Sequence, residues 1–99
     1  MSKITDSAKG KECQVRIPGV CSGDNRTVVW AHAIGLASGR GLGIKAPDLL
    51  GAYACQKCHD AYDRRIKPYG VLYHNVKECF YEGHLRSLVI LIDEGLVRF

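Results

Sequence analysis

The stretch Ala54-Cys55-Gln56-Lys57-Cys58-His59-Asp60-Ala61-Tyr62-Asp63-Arg64-Arg65 decides how the rest of the chain is read. Only Gln56 and Lys57 separate Cys55 from Cys58, a gap that lets both sulfurs reach one metal ion from a single turn. A second pair, Cys13 and Cys21, stands upstream around a longer loop that contains the turn signal Pro18-Gly19. Structural zinc takes four ligands tetrahedrally and favours soft thiolate sulfur. Cys13, Cys21, Cys55 and Cys58 therefore predict one structural Zn²⁺ site. The competing reading makes Cys55 and Cys58 a thioredoxin-like redox pair and leaves Cys13 and Cys21 as small buried residues. Such a motif follows a strand in a βαβ setting, for which this chain is too short and too irregular.

With 99 residues the chain fits one zinc-binding domain spanning 1–99. A domain of that size buries about two thirds of the surface its unfolded form exposes, so a metal staple adds needed stability. Apolar residues make up 46% and charged residues 24%, a balance that excludes a disordered tail or a fibre. The densest apolar run, Leu88 to Ile92 with Leu85 before it, falls far short of the roughly 20 residues that cross a bilayer, so no membrane span is expected. Met1 to Lys11 lacks the apolar core of a secretory signal, and a cytoplasmic location with reduced cysteines is expected. The odd count of five cysteines also fits metal binding better than disulfides, with Cys79 standing apart. A net charge of +4 suits a polyanionic partner.

Local patterns suggest an α+β fold. Ser2 to Arg16 has no clear period. The β-branched and aromatic residues of Thr27-Val28-Val29-Trp30-Ala31-His32 predict a strand with His32 at its end. Gly35, Gly39, Gly41 and Gly43, interspersed with Ser38, Arg40 and Lys45, predict a loop that can approach another molecule closely. Asp48-Leu49-Leu50 allows a short helix or strand, and Ala52-Tyr53-Ala54 leads into the second cysteine pair. A helix of about two to three turns should follow, carrying His59, Asp60 and Asp63 and continuing through Arg64, Arg65 and Ile66 towards Pro68. The longest helix is expected over His74 to Glu94, interrupted at Gly83 and stopped by Gly95. Its run from Leu85 through Leu88 to Ile92 is too apolar for a helix with one wet face, and part of it is expected to cover the zinc core in preference to a second subunit. Leu96-Val97-Arg98-Phe99 fits a terminal strand.

His59 and Asp63 lie four apart and so share one face of a helix. They can converge on a hard divalent ion, or form an exposed contact worth a few tenths of a kcal/mol. His32 fits either a hydrogen-bonded structural role or a general base near neutrality. His74, Cys79 and His84 have no evident partners and read as structural.

The chain's order is a cysteine knuckle, a strand ending in histidine, a second knuckle, and a helix opening with His59. In that order the chain resembles the HNH-type (ββα-metal) endonucleases on a treble-clef scaffold, most closely the small prophage-encoded proteins of the YbcO-like nuclease family. The resemblance runs nearly end to end through Lys11-Glu12-Cys13-Gln14-Val15-Arg16-Ile17-Pro18-Gly19-Val20-Cys21, Ala31-His32, Pro47-Asp48-Leu49-Leu50, Ala54-Cys55-Gln56-Lys57-Cys58-His59-Asp60 and Asp63-Arg64-Arg65. It implies a zinc-stabilised treble clef with an added long C-terminal helix. It further implies metal-dependent cleavage of nucleic acid, chiefly DNA, with His32 as general base and His59 and Asp63 on a catalytic Mg²⁺ or Mn²⁺ distinct from the zinc. Arg40, Lys45, Arg64 and Arg65 would then meet phosphates without reading sequence. The chain departs from the HNH pattern at Ala31, where many members have an acid, and in lacking an evident middle asparagine; Asp48 lies nearest that position. That departure suits the rival expectation, a non-catalytic zinc-knuckle module that binds nucleic acid or protein.

Overall fold

The computed structural model describes residues 3–34 and 49–97. Expectations for the glycine-rich loop, Arg40, Lys45 and Asp48 therefore lie outside the described residues. The element order is α1 (Lys3–Ser7), a 3₁₀ turn (Asn25–Thr27), β1 (Val29–His32), β2 (Gly51–Ala54), α2 (Gln56–Tyr62) and α3 (Tyr73–Asp93). The aperiodic N-terminal stretch thus contains a short helix, tied down where the Ser7 hydroxyl meets the Tyr53 hydroxyl at 2.7 Å.

The strand begins two residues later than its β-branched run suggests, because Asp24 builds a turn first. Its carboxylate accepts from Arg26 N and its carbonyl from Thr27 N and Oγ1. β1 then pairs antiparallel with β2, Trp30 opposite Tyr53 and His32 opposite Gly51. Trp30 and Tyr53 meet edge to face with centroids 5.1 Å apart.

β2 is buried throughout, and its backbone accounts for why. Tyr53 turns its own amide and carbonyl away from β1. Its N–H donates to Ser87 Oγ at 3.0 Å, and its carbonyl accepts from Gln14 N at 2.8 Å. α3 covers β2 from that side, with Val76, Phe80, Ser87 and Leu91 buried. Val15, Ile17, Tyr53 and Leu91 form the centre of the core.

α3 is one uninterrupted helix, contrary to the expected break at Gly83. The glycine serves close packing instead: a Cβ there would lie 2.8 Å from Val15 Cα and 2.9 Å from the Gln14 carbonyl. Gly95 ends the helix as expected, at φ 74° with its N–H bonded to Ile92 O and that of Leu96 to Leu91 O. The apolar run on α3 divides: Leu91 is buried, whereas Leu85 and Val89 are 47% and 58% exposed. Leu96 and Val97 form no strand. No described helix is long and apolar enough to cross a membrane.

α2 is shorter than its residue preferences suggest, stopping at Tyr62 with Asp63 as C-cap. Arg64 enters the left-handed region at φ 63°, where its N–H meets Ala61 O and that of Arg65 meets Asp60 O. This is the same helix stop as at Gly95, made by an arginine in the glycine position. Arg64, Arg65 and Ile66 accordingly lie beyond the helix.

Candidate metal centre

The two cysteine pairs reach one point by different local devices. Cys55 takes the N-cap position of α2 in extended conformation, so its sulfur and that of buried Cys58 in the first turn face the same way. Cys13 and Cys21 are brought together by consecutive turns. Arg16 sits at φ 53° with its Nε on the Cys13 carbonyl, and Gly19, at φ 76°, leads into Cys21, whose N–H bonds Ile17 O.

The four sulfurs lie within 4.8 Å of one another. Cys21 Sγ and Cys55 Sγ are 3.8 Å apart. A tetrahedron with zinc–sulfur bonds of about 2.3 Å has sulfurs about 3.8 Å from each other. Dimension and donor chemistry both fit the ion: the cluster can hold a metal, consistent with zinc. Cys13, Cys55 and Cys58 are buried and Cys21 is partly so, as a closed structural site requires.

Without a metal the four thiols share their protons unevenly. A hydrogen bond from the Cys58 thiol, with backbone amides of Arg16 and Cys55 assisting against burial, brings Cys13 down to about 4. Cys58 is pushed up by that same shared proton and by burial, and burial holds Cys21 up at about 11. At Cys55 burial opposes ionisation, yet the Cys58 amide and Ser22 prevail and lower it. The amides that aim at these sulfurs would also orient thiolate ligands.

His59 and Asp63 come together on the exposed side of α2, Nε2 to Oδ2 at 3.0 Å. Arg65 adds weaker contacts to Asp63 at 3.7 Å and Asp60 at 3.6 Å, and Gln56 Nε2 donates to Asp60 at 2.8 Å. His32 ends β1, half-buried. Its end of the sheet is joined to the last turn of α2, because the Tyr62 hydroxyl accepts from Ile34 N at 2.9 Å. Arg64 lies over the Tyr73 ring, 3.9 Å from its centroid. Of the residues read as structural, His84 bonds the Gly51 carbonyl through Nδ1 at 2.6 Å, burial raises the Cys79 thiol, and His74 is exposed.

Sequence reasoning missed the support that α3 gives the first pair: Arg86 binds the Gln14 carbonyl through Nε and Nη2, beside the Gly83 contact. A glycine and an arginine three apart on a helix carry no signal of a partner seventy residues upstream.

Comparison with known proteins agrees with the order of these elements. A solved structure described as "Structure of a putative bacteriophage protein from Escherichia coli str. K-12 substr. MG1655" superposes with a TM-score of 0.76 at 44% identity, over 92% of this chain and 98% of that one. A protein of Escherichia coli (strain K12) named "Putative nuclease YbcO" is 46% identical over 98 residues, 99% of each chain. A protein of Enterobacteria phage 82 named "Putative nuclease ybcO" matches to the same extent. A family model described as "Putative nuclease YbcO" matches residues 2–96, and the chain belongs to that family.

Proposed function

We propose that this protein is a metal-dependent endonuclease of HNH type on a treble-clef scaffold, hydrolysing phosphodiester bonds in DNA in a phage or prophage setting. One observation supports the reading: the Tyr62 hydroxyl ties the end of α2 to Ile34, two residues past His32, and that helix bears the His59–Asp63 pair and opens on two of the four clustered cysteines, in a family named for nuclease activity.

In this reading the zinc on Cys13, Cys21, Cys55 and Cys58 holds the scaffold and takes no part in chemistry. His59 and Asp63 hold a separate Mg²⁺ or Mn²⁺, which when bound neutralises charge on the scissile phosphate and its leaving oxygen. His32 removes the proton of the attacking water. Arg64 and Arg65, with Arg40 and Lys45, hold the phosphates that flank the cut. His59 Nε2 lies 3.0 Å from Asp63 Oδ2 and Arg65 Nη2 3.7 Å from it, so the carboxylate is kept oriented before the ion arrives.

The rival reading, a binding module that does not cleave, draws on that same pairing, since His59 and Asp63 already satisfy each other. Nicking of supercoiled plasmid separates the two. Zinc-loaded protein with Mg²⁺ or Mn²⁺ should cut, and a folded His32→Ala variant of equal zinc content should lose about 100-fold or more in rate, the usual contribution of general base catalysis. Equal cutting by the variant would remove His32 from the role; no cutting of any plasmid or oligonucleotide by wild type would leave the binding module.

A further inference from the structure

Beyond the candidate catalytic residues, a groove runs between the end of α2 and the first half of α3. One cavity of about 290 Å³ has Tyr62, Phe80, Tyr81 and Lys77 in its wall. A neighbouring one of about 200 Å³ shares Tyr62 and Lys77 and adds Arg64 and Tyr73. Tyr62 and Phe80 stack on each other with ring centroids 3.7 Å apart and planes within 4°, a buried apolar base to the groove, and Tyr81 is the exposed ring beside them. No acidic residue lines either cavity, although Lys77 and Tyr81 also border an adjoining depression that contains Glu78 and Glu82.

Two features show that the cations here are placed for something. Lys77 has no hydrogen-bond or ion-pair partner among the described residues, although glutamates are its neighbours in sequence. Arg64 adopts a left-handed backbone that glycine would take without strain, and from there its guanidinium lies over Tyr73 at the groove's edge. Arg64 also directly follows Asp63, and Ile34, two residues past His32, lines both cavities. The groove is thus continuous with the end of the sheet where cleavage is proposed.

We propose that this groove binds an unpaired nucleic-acid strand, with one base against the exposed Tyr81 ring and adjacent phosphates on Lys77 and Arg64. The proposal rests on the nuclease reading for its substrate class and adds strandedness to it. A polynucleotide strand is the ligand that combines repeated negative charge with flat apolar faces. In a duplex those faces are stacked inside, so only an unpaired segment can present one to an apolar pocket of this size.

The test is fluorescence anisotropy of a labelled single-stranded oligonucleotide and of a hairpin duplex of equal length, with zinc-loaded full-length protein and no added Mg²⁺ or Mn²⁺. The single strand should bind more tightly. Tyr81→Ala, at a position 63% exposed, should weaken it roughly tenfold, within the range for loss of one base stack, without changing the salt dependence. Lys77→Ala should lower the slope of log K against log salt by about 0.7. Lys9→Ala, which removes an exposed charge elsewhere, gives the baseline for a general charge effect. Equal or tighter duplex binding, or Tyr81→Ala and Lys77→Ala variants that match Lys9→Ala, would overturn the proposal. Plasmid cleavage with no preference for the single strand would overturn the groove and leave the nuclease; groove-dependent single-strand binding without cleavage of any substrate would do the reverse.

Discussion

The two cysteine pairs place their sulfurs at one point, yet the first needs distant segments as well as its own turns. Cys55 and Cys58 are aligned by the first turn of α2, and their spacing in sequence is already their spacing in space. Cys13 and Cys21 belong to a loop whose shape is held from outside, by the Tyr53 carbonyl on Gln14 N, by Arg86 on the Gln14 carbonyl and by Gly83 against Val15. A short ligand pair can be carried by one element. A long one has to be supported by the rest of the molecule.

The comparison breaks most severely when the shared ion is lost. Cys58→Ser and Cys13→Ser should be equally damaging despite their different surroundings, because structural zinc contributes on the order of 10–16 kcal/mol. Both variants should lack bound zinc by elemental analysis and show no cooperative thermal transition by circular dichroism. A folded, zinc-free Cys13→Ser protein would mean that the contacts from α3 suffice alone.

Each pair contributes one thiol held protonated, Cys21 and Cys58, and one lowered, Cys13 and Cys55. At neutral pH zinc must displace at least the protons of Cys21 and Cys58. Apparent zinc affinity should therefore rise with pH by about 100-fold per unit or more, tenfold for each proton released. It should fall correspondingly in acid, as measured by competition with a chromogenic chelator. A flat profile around neutrality would show that the sulfurs do not share protons in this way.

Gly83→Ala addresses the outside support alone. Its Cβ would meet backbone at 2.8 Å, and overpacking of that kind costs about 1–3 kcal/mol. Urea denaturation should detect this, with zinc bound more weakly because the first pair is displaced. Thr27→Val tests a link from the second pair to the turn before β1, where the Thr27 hydroxyl accepts from Gln56 N at 3.2 Å and donates to Asp24 O at 2.9 Å. Loss of the two bonds should cost about 0.5–1.5 kcal/mol each, with zinc affinity unchanged.

What could be read from sequence follows the same division. The Cys55–Cys58 gap, the start of α2, the place of His32 at a strand end and the stop at Gly95 are local features, written within a few residues. The early end of α2 was hidden because nothing marks Arg64 as the residue that leaves the helix. Glycine or asparagine would have done so. Gly83 read as a helix breaker because its partner, Val15, is known only once the chain has folded. Ser87 carries no mark of its place in the sequence, yet it is fully buried between Gly83 O and Tyr53 N. The aromatic groove was invisible for a related reason: Tyr62 and Phe80 come from different helices and meet beneath it only once α2 packs on α3.

Tyr53 has a further consequence for how this molecule opens. Its amide ends on a side chain of α3, its carbonyl on the first knuckle, its ring on β1 and its hydroxyl on α1. That amide can exchange its hydrogen with solvent only once Ser87 of α3 lifts away from β2, which opens the centre of the core. Breathing of α1 or of the end of α3 leaves it protected, so its exchange keeps time with the unfolding of the whole assembly rather than of any part.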